Sequence, residues 1–379
     1  MAGRLRAAFI RGGTSKALIF HRADLPRDRK EWDRLFLALM GSPDLYGRQL
    51  DGMGGGVSSL SKVCIVGPTT HPEADVDYTF VQVGVKKATV DYKGNCGNMS
   101  AAIGPFAVDE GLIRPAGPEA LVRIHNTNTG KIIHARFPLR SDGHTEETGS
   151  LAIPGVAGTG APVKLQFINP GGAVTGRLLP TGRPLDLLDV VGVGKVRASL
   201  VDAANACCFV LAQDLGLKGT ELPAEVEGNA DVLRRLEAVR QAASVAMGIT
   251  KDLTEAARSL SLPFIGFVSP PQSAQTVSGS LIDSARVNLT GRIMSSGQLH
   301  RALPLSGSLC MAVASAIEGT TVHMVARQPG KDQPLVIAMP SGELQVAAEV
   351  QRSPEWTAVQ GTFYRTQRRL FDGYVYPRL

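Results

Sequence analysis

The stretch GNCGNMSAAIGPFAV, residues 94–108, decides the fold prediction. It opens with the turn sequence Gly94-Asn95-Cys96-Gly97 and continues with small or apolar side chains at nearly every position. A helix that is apolar on all sides has no face suited to water, so it must lie inside the protein. We therefore predict a buried central helix over residues 98–108.

A second stretch repeats this arrangement late in the chain. The turn sequence Ser306-Gly307-Ser308 precedes LCMAVASAI, residues 309–317, which again predicts a helix buried on all sides. A chain of 379 residues is long enough for two domains. We predict two similar domains, residues 1–175 and 176–379, each a β-rich shell around one apolar helix, with the last strands able to return to the first domain. A Gly- and Pro-rich stretch, residues 169–184, is the predicted linker.

Short apolar or alternating runs bounded by Gly, Pro or Asp predict strands throughout the chain. They cover residues 6–10, 16–20, 62–66, 78–83, 89–92, 121–125, 131–137, 164–168, 197–201, 207–210, 263–268, 321–325, 335–339, 344–349 and 358–364. Amphipathic helices are predicted over residues 29–39 and 231–247. Strands in series with few helices indicate an α+β fold.

The net charge of +6 comes from 40 Lys and Arg against 34 Asp and Glu, scattered along the sequence. Two Trp and six Tyr offer few surfaces on which bases could stack. The charge therefore favours small anions over nucleic acid. The sequence has no apolar run of about 18 residues and no signal-peptide pattern, so we expect a cytoplasmic protein without membrane contact. Whether it forms a homodimer is left open.

The five cysteines are Cys64, Cys96, Cys207, Cys208 and Cys310. Their number is odd and no CxxC spacing occurs, so we expect reduced thiols and no metal site. Neither glycine loop, RGGTSK at 11–16 or DGMGGG at 51–56, matches a P-loop, and no dinucleotide fingerprint is present. We therefore expect neither ATP nor NAD.

The predicted helix starts and the two glycine loops are candidate anion sites. Free N–H groups and the helix dipole attract carboxylates, and loop amides add further donors. If the two helix starts face each other across a cleft, they can clamp a polycarboxylate. Plain turn glycines are the alternative for the loops.

Two residues are candidates for proton transfer. Cys96 begins the first buried helix, where the dipole favours a thiolate, although packing as a small buried side chain is an equal alternative. Lys62 interrupts an apolar strand; a solvated lysine is the usual outcome, but a buried one would have a lowered pKa and could act as a base. Arg11, Arg292 and Arg301 are candidate partners for substrate carboxylates.

Ordered motifs along nearly the whole chain resemble those of the PrpF family. They are IRGGTSK (10–16), DLP (24–26), GSPD (41–44), DGMGG (51–55), SSLSK (58–62), GNCGN (94–98), LPTG (179–182), GTEL (219–222), LH (299–300) and PSG (340–342). The resemblance implies a diaminopimelate epimerase-like fold, in agreement with the two apolar helices. It also implies cofactor-independent isomerisation of a small unsaturated tricarboxylate such as 2-methylaconitate or aconitate, with Lys62 and Cys96 as the catalytic pair.

The epimerases that the chain resembles place a second catalytic cysteine at the start of the second helix. This chain has Ser306 there, and Cys310 lies too far along the helix to replace it. A two-thiol racemase needs an acid and a base on opposite faces of one carbon. The loss of one thiol therefore favours an allylic isomerase over an amino-acid racemase.

The residues predicted to bind substrate lie in the glycine loops, at the two helix starts and on the approach to the second helix. They are Arg11, Gly13, Thr14, Ser15, Gly54, Gly55, Gly56, Ser59, Asn95, Gly97, Asn98, Arg292, His300, Ser306, Gly307 and Ser308. Three other functions stay open: a keto–enol tautomerase of 4-oxalomesaconate, a non-catalytic accessory protein of a dehydratase, and a nucleic-acid binder.

Overall fold

The computed structural model describes residues 3–259, 261–330 and 333–378. Its strands, in chain order, are β1 (Leu5–Gly12), β2 (Ser15–His21), β3 (Lys62–Pro68), β4 (Val76–Val83), β5 (Val90–Asp91), β6 (Glu119–Asn126), β7 (Lys131–Pro138), β8 (Val163–Ile168), β9 (Asp186–Val190), β10 (Gly194–Ala203), β11 (Asn205–Leu211), β12 (Phe264–Ser269), β13 (Ala274–Gln275), β14 (Leu281–Ile282), β15 (Leu289–Ser295), β16 (Gln298–Leu299), β17 (Leu335–Met339), β18 (Gly342–Arg352), β19 (Trp356–Arg365) and β20 (Gln367–Val375).

The α-helices are fewer and mostly short. In chain order they are α1 (Trp32–Met40), α2 (Gly97–Asp109), α3 (Pro223–Glu227), α4 (Ala230–Ala246), α5 (Leu253–Arg258), α6 (Leu305–Ser315) and α7 (Thr321–Val325). Short 3₁₀ turns cover Arg22–Asp24, Arg29–Glu31, Ser58–Leu60, Ala212–Leu215 and Ser284–Arg286. None of the helices in the described ranges combines the length and apolar character needed to span a membrane.

The chain divides into two compact units. Unit 1 is Met1–Gln166 together with Tyr364–Leu379, and unit 2 is Phe167–Phe363. In unit 1 the strands pair in the order β20–β1–β2–β3–β4–β6–β7. The pairs β2/β3 and β4/β6 are parallel and the others antiparallel. Each parallel pair needs a crossover connection, which contains α1 in the first case and α2 in the second.

Unit 2 repeats this pairing pattern. Its strands pair in the order β9–β10–β11–β12–β15–β17–β18, with parallel pairs at β11/β12 and β15/β17. The crossovers contain α4 and α6, in the places that α1 and α2 occupy in unit 1. The α+β class and the plan of two similar halves, each with one central helix, are confirmed.

The two central helices are buried as the sequence predicts. In α2 every residue from Gly97 to Val108 is buried, and in α6 every residue is. The helix α2 packs against β1, β2, β3, β6, β7 and β20, while α6 packs against β10, β11 and β18. A helix covered by strands on several sides has no water-facing stripe, which explains the absence of a polar face in both sequences.

The sheet of unit 1 has two different faces. Val63, Ile65 and Val81 belong to the hydrophobic cluster formed with α1. Because successive side chains of a strand alternate between faces, Lys62 and its cross-strand neighbour Gln82 lie on the face opposite α1. The alternation of β3 thus directs Lys62 away from α1 and into the shell around α2.

Two local predictions are wrong. Residues 321–325 form the helix α7 and not a strand: Thr320 caps this helix, since its Oγ1 accepts a hydrogen bond from His323 N at 3.0 Å. The helix α6 begins at Leu305, so residues 306–308 form its first turn and do not precede it. Six strands of the described ranges were not predicted: β9, β15, β20 and the two-residue strands β13, β14 and β16. The strand β20 was hidden by the charged run at residues 365–369.

Candidate active site

Lys62 is the first residue of β3, and only 7% of it is exposed. Burial lowers its pKa from the ordinary value of 10.5, while negative charge on Cys96 or Cys64 acts in the opposite direction. The charge of Cys96 therefore acts on the amine of Lys62. A buried amine is neutral over a wider pH range than a solvated one, as a general base requires.

Two groups hold the amine of Lys62. Its Nζ donates a hydrogen bond to Gln82 Oε1, and it lies 4.9 Å from the centroid of the Phe80 ring. The amide nitrogen of Gln82 donates in turn to Ser58 O at 3.0 Å and Ser61 O at 2.9 Å. The position of the amine is therefore defined by an amide that is itself fixed to the backbone.

Cys96 occupies the N-cap of α2, and its thiol is half-buried. Its Sγ lies 3.9 Å from Ser15 Oγ at the start of β2. Its carbonyl oxygen accepts from Ser100 N at 3.1 Å, which begins the helical hydrogen bonding. The thiol therefore lies at the positive end of the dipole of a buried helix.

Asn98 links the first turn of α2 to two other segments, and only 4% of it is exposed. Its Oδ1 accepts from Arg365 Nε at 3.2 Å, and its Nδ2 donates to Thr14 Oγ1 at 3.2 Å. Gly13 has a φ of +51°, and a Cβ there would lie 2.3 Å from Asn98 Oδ1. Only glycine fits this position, so the RGGTSK loop and the start of α2 are matched in shape.

Two arginines contact this network. Arg11 Nη1 donates to Gly13 O at 2.9 Å and to Thr366 O at 3.0 Å. Burial lowers the pKa of Arg11, and burial lowers the pKa of Arg365 to about 10, so both remain cationic at neutral pH. Two cations beside the start of α2 give this region a positive potential suited to a carboxylate.

The backbone amides of the second glycine loop, residues 51–56, donate hydrogen bonds to other groups of the protein. The amides of Gly54, Gly55 and Gly56 donate to Met40 O (3.3 Å), Leu60 O (3.2 Å) and Gln49 Oε1 (3.0 Å). A Cβ on Gly54 would lie 2.3 Å from Gln49 Oε1, so the glycine is needed for close approach. The three amides thus have acceptors within the protein, and substrate binding by Gly54, Gly55 and Gly56 stays a prediction. The amide of Gly13 likewise donates to Thr366 O at 2.9 Å.

The other predicted residues of unit 1 lie around the same helix start or the loop before β3. Ser15 is buried, Asn95 is buried and accepts from Asn126 Nδ2 at 3.4 Å, and Gly97 is the first residue of α2. Ser59 is half-buried within the 3₁₀ turn Ser58–Leu60. The structure thus brings Ser15, Gly97 and Asn98 close to Cys96 and leaves Ser59 beside the segment that supports Lys62.

The predicted residues of unit 2 have mainly internal partners. Arg292 is 1% exposed and donates to four backbone carbonyls, those of Thr220, Glu221, Gly291 and Ala338. His300 Nε2 lies 2.6 Å from Ser295 Oγ. These contacts account for the burial of Arg292 as support of the surrounding backbone; substrate binding by it stays a prediction.

The first turn of α6 is also buried. Ser306 is 2% exposed, Ser308 Oγ donates to Leu305 O at 2.9 Å, and a Cβ on Gly307 would lie 2.8 Å from Ile293 Cδ1. The glycine is therefore required by close packing against β15. Substrate binding by these three residues stays a prediction.

The four other cysteines are buried in the interior. Burial raises the pKa of Cys64, Cys207 and Cys208, so these thiols stay protonated. Cys310 lies within α6, where its Sγ is 3.3 Å from Val201 O. In the part of the chain that the structure describes, no three His, Cys, Asp or Glu side chains converge as metal ligands.

Two residues of the candidate site were missed from sequence. Gln82 is an ordinary polar residue in an alternating strand, and only the register of β3 and β4 places it opposite Lys62. Arg365 belongs to a run of charges that has the composition of a solvated surface. The available signal was its position after the strand at residues 358–364, whose alternation extends to Arg365.

The sequence model of the PrpF protein family matches residues 2–378. The chain is 40% identical over 375 residues to 3-methylitaconate isomerase of Eubacterium barkeri, covering 98% of this chain and 97% of that protein. It is 38% identical to 2-methyl-aconitate isomerase of Shewanella oneidensis, covering 98% and 96%. It is 36% identical to (4E)-oxalomesaconate Delta-isomerase of Novosphingobium sp., covering 97% and 96%.

Solved structures show the same architecture. The crystal structure of methylitaconate-delta-isomerase matches with a TM-score of 0.81 at 40% identity, over 99% of this chain and 95% of that one. A hydroxyproline epimerase from Agrobacterium vitis matches with a TM-score of 0.57 at 12% identity, over 99% and 93%. The second likeness shows the fold alone, which is epimerase-like as predicted.

Proposed function

The chain belongs to the PrpF family of isomerases, and from this premise we propose that it moves a proton and a C=C bond within an unsaturated tricarboxylate of the 2-methylaconitate type, with Lys62 and Cys96 as the acid–base pair. The family and the isomerase class follow from the whole-length match. The substrate, the catalytic pair and the independence from a cofactor are the content of the proposal.

The reaction needs one base and one acid. The base removes a proton from the carbon next to the double bond, and the electron pair spreads through the C=C bond onto a conjugated carboxylate. The acid then delivers a proton to the far carbon of the allylic system, and the double bond moves by one position. Lys62 and Cys96 can fill both functions, since each has a neutral and a charged form that differ by one proton.

The single observation that carries the proposal is the burial of Lys62, which lowers the pKa of its amine and leaves it within reach of the charge of Cys96. A lysine is costly to bury, and the charge of the half-buried thiol that begins α2 acts on this amine. With Lys62 as the base, the first transfer leaves an ammonium beside the neutral thiol and a substrate carbanion, and the second transfer, from Cys96, leaves an ammonium and a thiolate. With the Cys96 thiolate as the base and the Lys62 ammonium as the acid, the second transfer returns the neutral pair. The Coulomb attraction between the ammonium and the thiolate stabilises the charged pair inside the protein.

The carboxylates of the substrate need positive partners. Arg11 and Arg365 contact the network at the start of α2, where the helix dipole adds to their potential. We assign one substrate carboxylate to this side of the candidate site. A charge delocalised onto that carboxylate during the reaction is then stabilised where it forms.

The test is to incubate the protein separately with cis-aconitate, trans-aconitate, 2-methylaconitate, 3-methylitaconate and 4-oxalomesaconate. Ultraviolet absorbance follows the shift of the conjugated double bond, and proton NMR in D₂O follows exchange at the allylic carbons. The proposal expects turnover and exchange with at least one of cis-aconitate, trans-aconitate and 2-methylaconitate. Turnover of 3-methylitaconate alone would contradict the tricarboxylate assignment, and turnover of none would contradict the proposed function.

The second candidate function is the isomerisation or tautomerisation of 4-oxalomesaconate. The 36% identity to the oxalomesaconate isomerase of Novosphingobium sp. favours it. It uses the same acid and base on a different carbon skeleton, so the same substrate panel separates the two.

A further inference from the structure

We propose that Gln82 is a positioning residue for Lys62: its amide oxygen fixes the direction of the amine, and as an uncharged acceptor it adds no negative charge beside the base. The inference rests on the proposed function, in which Lys62 exchanges a proton with the substrate. Its starting point is the cross-strand pair of Lys62 on β3 and Gln82 on β4.

The orientation of the Gln82 amide is determined by its surroundings. Its Nε2 has two N–H groups, which are directed at Ser58 O and Ser61 O. Turning the amide over would place Oε1 against those two carbonyl oxygens and NH₂ against the amine of Lys62. The oxygen must therefore face Lys62.

The carbonyl groups that hold Gln82 are themselves anchored. Ser61 is fully buried; its carbonyl oxygen also accepts from Val83 N at 3.1 Å, and its Oγ accepts from Gln49 Nε2 at 2.8 Å. Gln49 is 1% exposed and donates as well to Ser42 Oγ at 2.7 Å. A chain of buried hydrogen bonds thus supports the amide, and such support keeps a functional side chain in one position.

The fixed oxygen determines where the lone pair of Lys62 points. A neutral amine has two N–H groups and one lone pair, and an N–H is directed at Gln82 Oε1. The lone pair is repelled by that oxygen, so it is directed away from Gln82 and remains available for a substrate proton. In a freely rotating amine, the lone pair would be directed away from Gln82 for only part of the time.

The other titratable groups near Lys62 fit this interpretation. Cys96 at the start of α2 and Cys64 on β3 act on its charge, and Tyr78 on β4 lies 3.9 Å from Cys64 Sγ. Burial raises the pKa of Cys64 and of Tyr78, so both stay neutral. Replacing Gln82 by Glu would therefore add a carboxylate in direct contact with the amine and favour the ammonium.

The experiment compares the pH–rate profiles of the wild type, Gln82→Glu and Gln82→Met. Gln82→Glu keeps an acceptor toward the amine but loses the two N–H groups that donate to Ser58 O and Ser61 O, so the maximal rate should fall. The added carboxylate should raise the pKa of the base, which is the pKa on the rising limb of the profile, by about one to three pH units, with activity recovering at alkaline pH. Gln82→Met keeps the volume without the acceptor, so kcat should fall about tenfold or more at every pH. Gln345→Glu, the same exchange at an exposed position of β18, is the control.

A second readout does not depend on activity. Competitive acylation of lysines at a series of pH values, quantified by mass spectrometry, gives the midpoint at which Lys62 becomes reactive. This midpoint should rise in Gln82→Glu and stay unchanged in Gln345→Glu. Circular dichroism verifies the fold of each variant. If Gln82→Met does not fold, the acylation midpoint of Gln82→Glu alone tests the positioning function.

The outcomes separate the two proposals. Folded Gln82 variants with the wild-type pH profile, or an unchanged acylation midpoint in Gln82→Glu, overturn the positioning function. If the wild type is inactive on every compound tested, the proposed reaction is overturned. A raised acylation midpoint in Gln82→Glu would then still support the contact between Gln82 and the amine of Lys62.

Discussion

Lys62 and Cys64 lie two residues apart on the same face of β3, and burial acts on their pKa values in opposite directions. Burial favours the neutral form of each group. For the lysine this form carries the lone pair of a base, whereas for the thiol it is the unreactive form. The same burial therefore favours the form of Lys62 that can accept a proton and the unreactive form of Cys64.

The first prediction concerns Lys62 as a base. Lys62→Ala should lower kcat by about 10²–10⁴-fold, because a positioned general base contributes about that much. Steady-state kinetics on the substrate identified by the panel measures the loss, and circular dichroism verifies the fold. Lys195→Ala, at an exposed position of β10, is the matched control. Near-normal turnover of folded Lys62→Ala would remove Lys62 from the mechanism.

The second prediction follows from the lowered pKa of Lys62. Between this lowered pKa and the ordinary value of 10.5, the unfolded chain holds a proton that the folded chain lacks, so the free energy of unfolding rises with pH. Below that window the cost of burying the ammonium is fully present, and above it the cost is absent. The stability of the wild type relative to Lys62→Met should therefore rise with pH through the window.

Urea unfolding of both proteins at a series of pH values measures this difference. Lys195→Met, which removes an exposed lysine, should show no comparable trend. If the stability of the wild type relative to Lys62→Met falls or stays constant as the pH rises, the pKa of Lys62 is not lowered by folding.

The third prediction separates Cys96 from the other thiols. Cys96 is half-buried at the start of α2, and the other four cysteines are buried. Iodoacetamide should modify Cys96 at least about tenfold faster than the others, since reactivity needs access as well as thiolate. Peptide mass spectrometry follows the labelling, activity should fall in proportion, and a saturating tricarboxylate should protect. Earlier modification of Cys310, with loss of turnover, would move the reactive thiol to unit 2.

The residues of the candidate site differ in how well they could be predicted from the sequence. Cys96 was a candidate because the neighbouring residues alone place it at the start of a helix. The burial of Lys62 was not predictable, because a lysine at the start of a strand is solvated unless the rest of the fold covers it. Arg365 and Gln82 needed a long-range contact and a strand register before they could be recognised.

At the scale of the elements, the two central helices were predicted because an apolar surface on every side has one stable location. Most strands were predicted from alternation. The prediction for residues 321–325 failed because Thr and Val favour strands by propensity, and the cap by Thr320 overrode that preference. The strand propensity of a five-residue segment is small in total, so one capping hydrogen bond is enough to favour a helix.

The fourth prediction concerns the packing of α2 on the sheet. A Cβ at Gly104 would lie 2.8 Å from Phe137 Cε1 and 3.2 Å from Ala135 Cβ, both on β7. Gly104→Val should lower the free energy of unfolding by about 1–3 kcal/mol, because a larger side chain overpacks a closed core. Urea unfolding measures the change. Gly3→Val is the control, since nothing lies within 4 Å of a Cβ there. An equal or higher stability of Gly104→Val would show that α2 can move away from β7.

At the scale of the whole molecule, one pattern of strand pairing occurs twice, but the residues at the matching positions differ. The strand β12 begins with Phe264 where β3 begins with Lys62, and α6 has Ser306 near its start where α2 has Cys96. The repeat in architecture was predictable from the two apolar helices. Its full extent was not, because the strand orders of the two units become comparable only when the pairing of every strand is known.

The last prediction follows from this asymmetry. A racemase with two thiols removes a proton from one face of a carbon and returns one to the other, and Ser306 is far too weak an acid and base to replace a thiol. Incubated in D₂O, the protein should leave the α-protons of L-proline and trans-4-hydroxy-L-proline unexchanged by NMR, while it exchanges allylic protons of its tricarboxylate substrate. The tricarboxylate is the control for active protein. Exchange at the α-carbon of either amino acid would mean that a further group supplies the second acid and base of a racemase, and the assignment of the chemistry to Lys62 and Cys96 alone would be wrong.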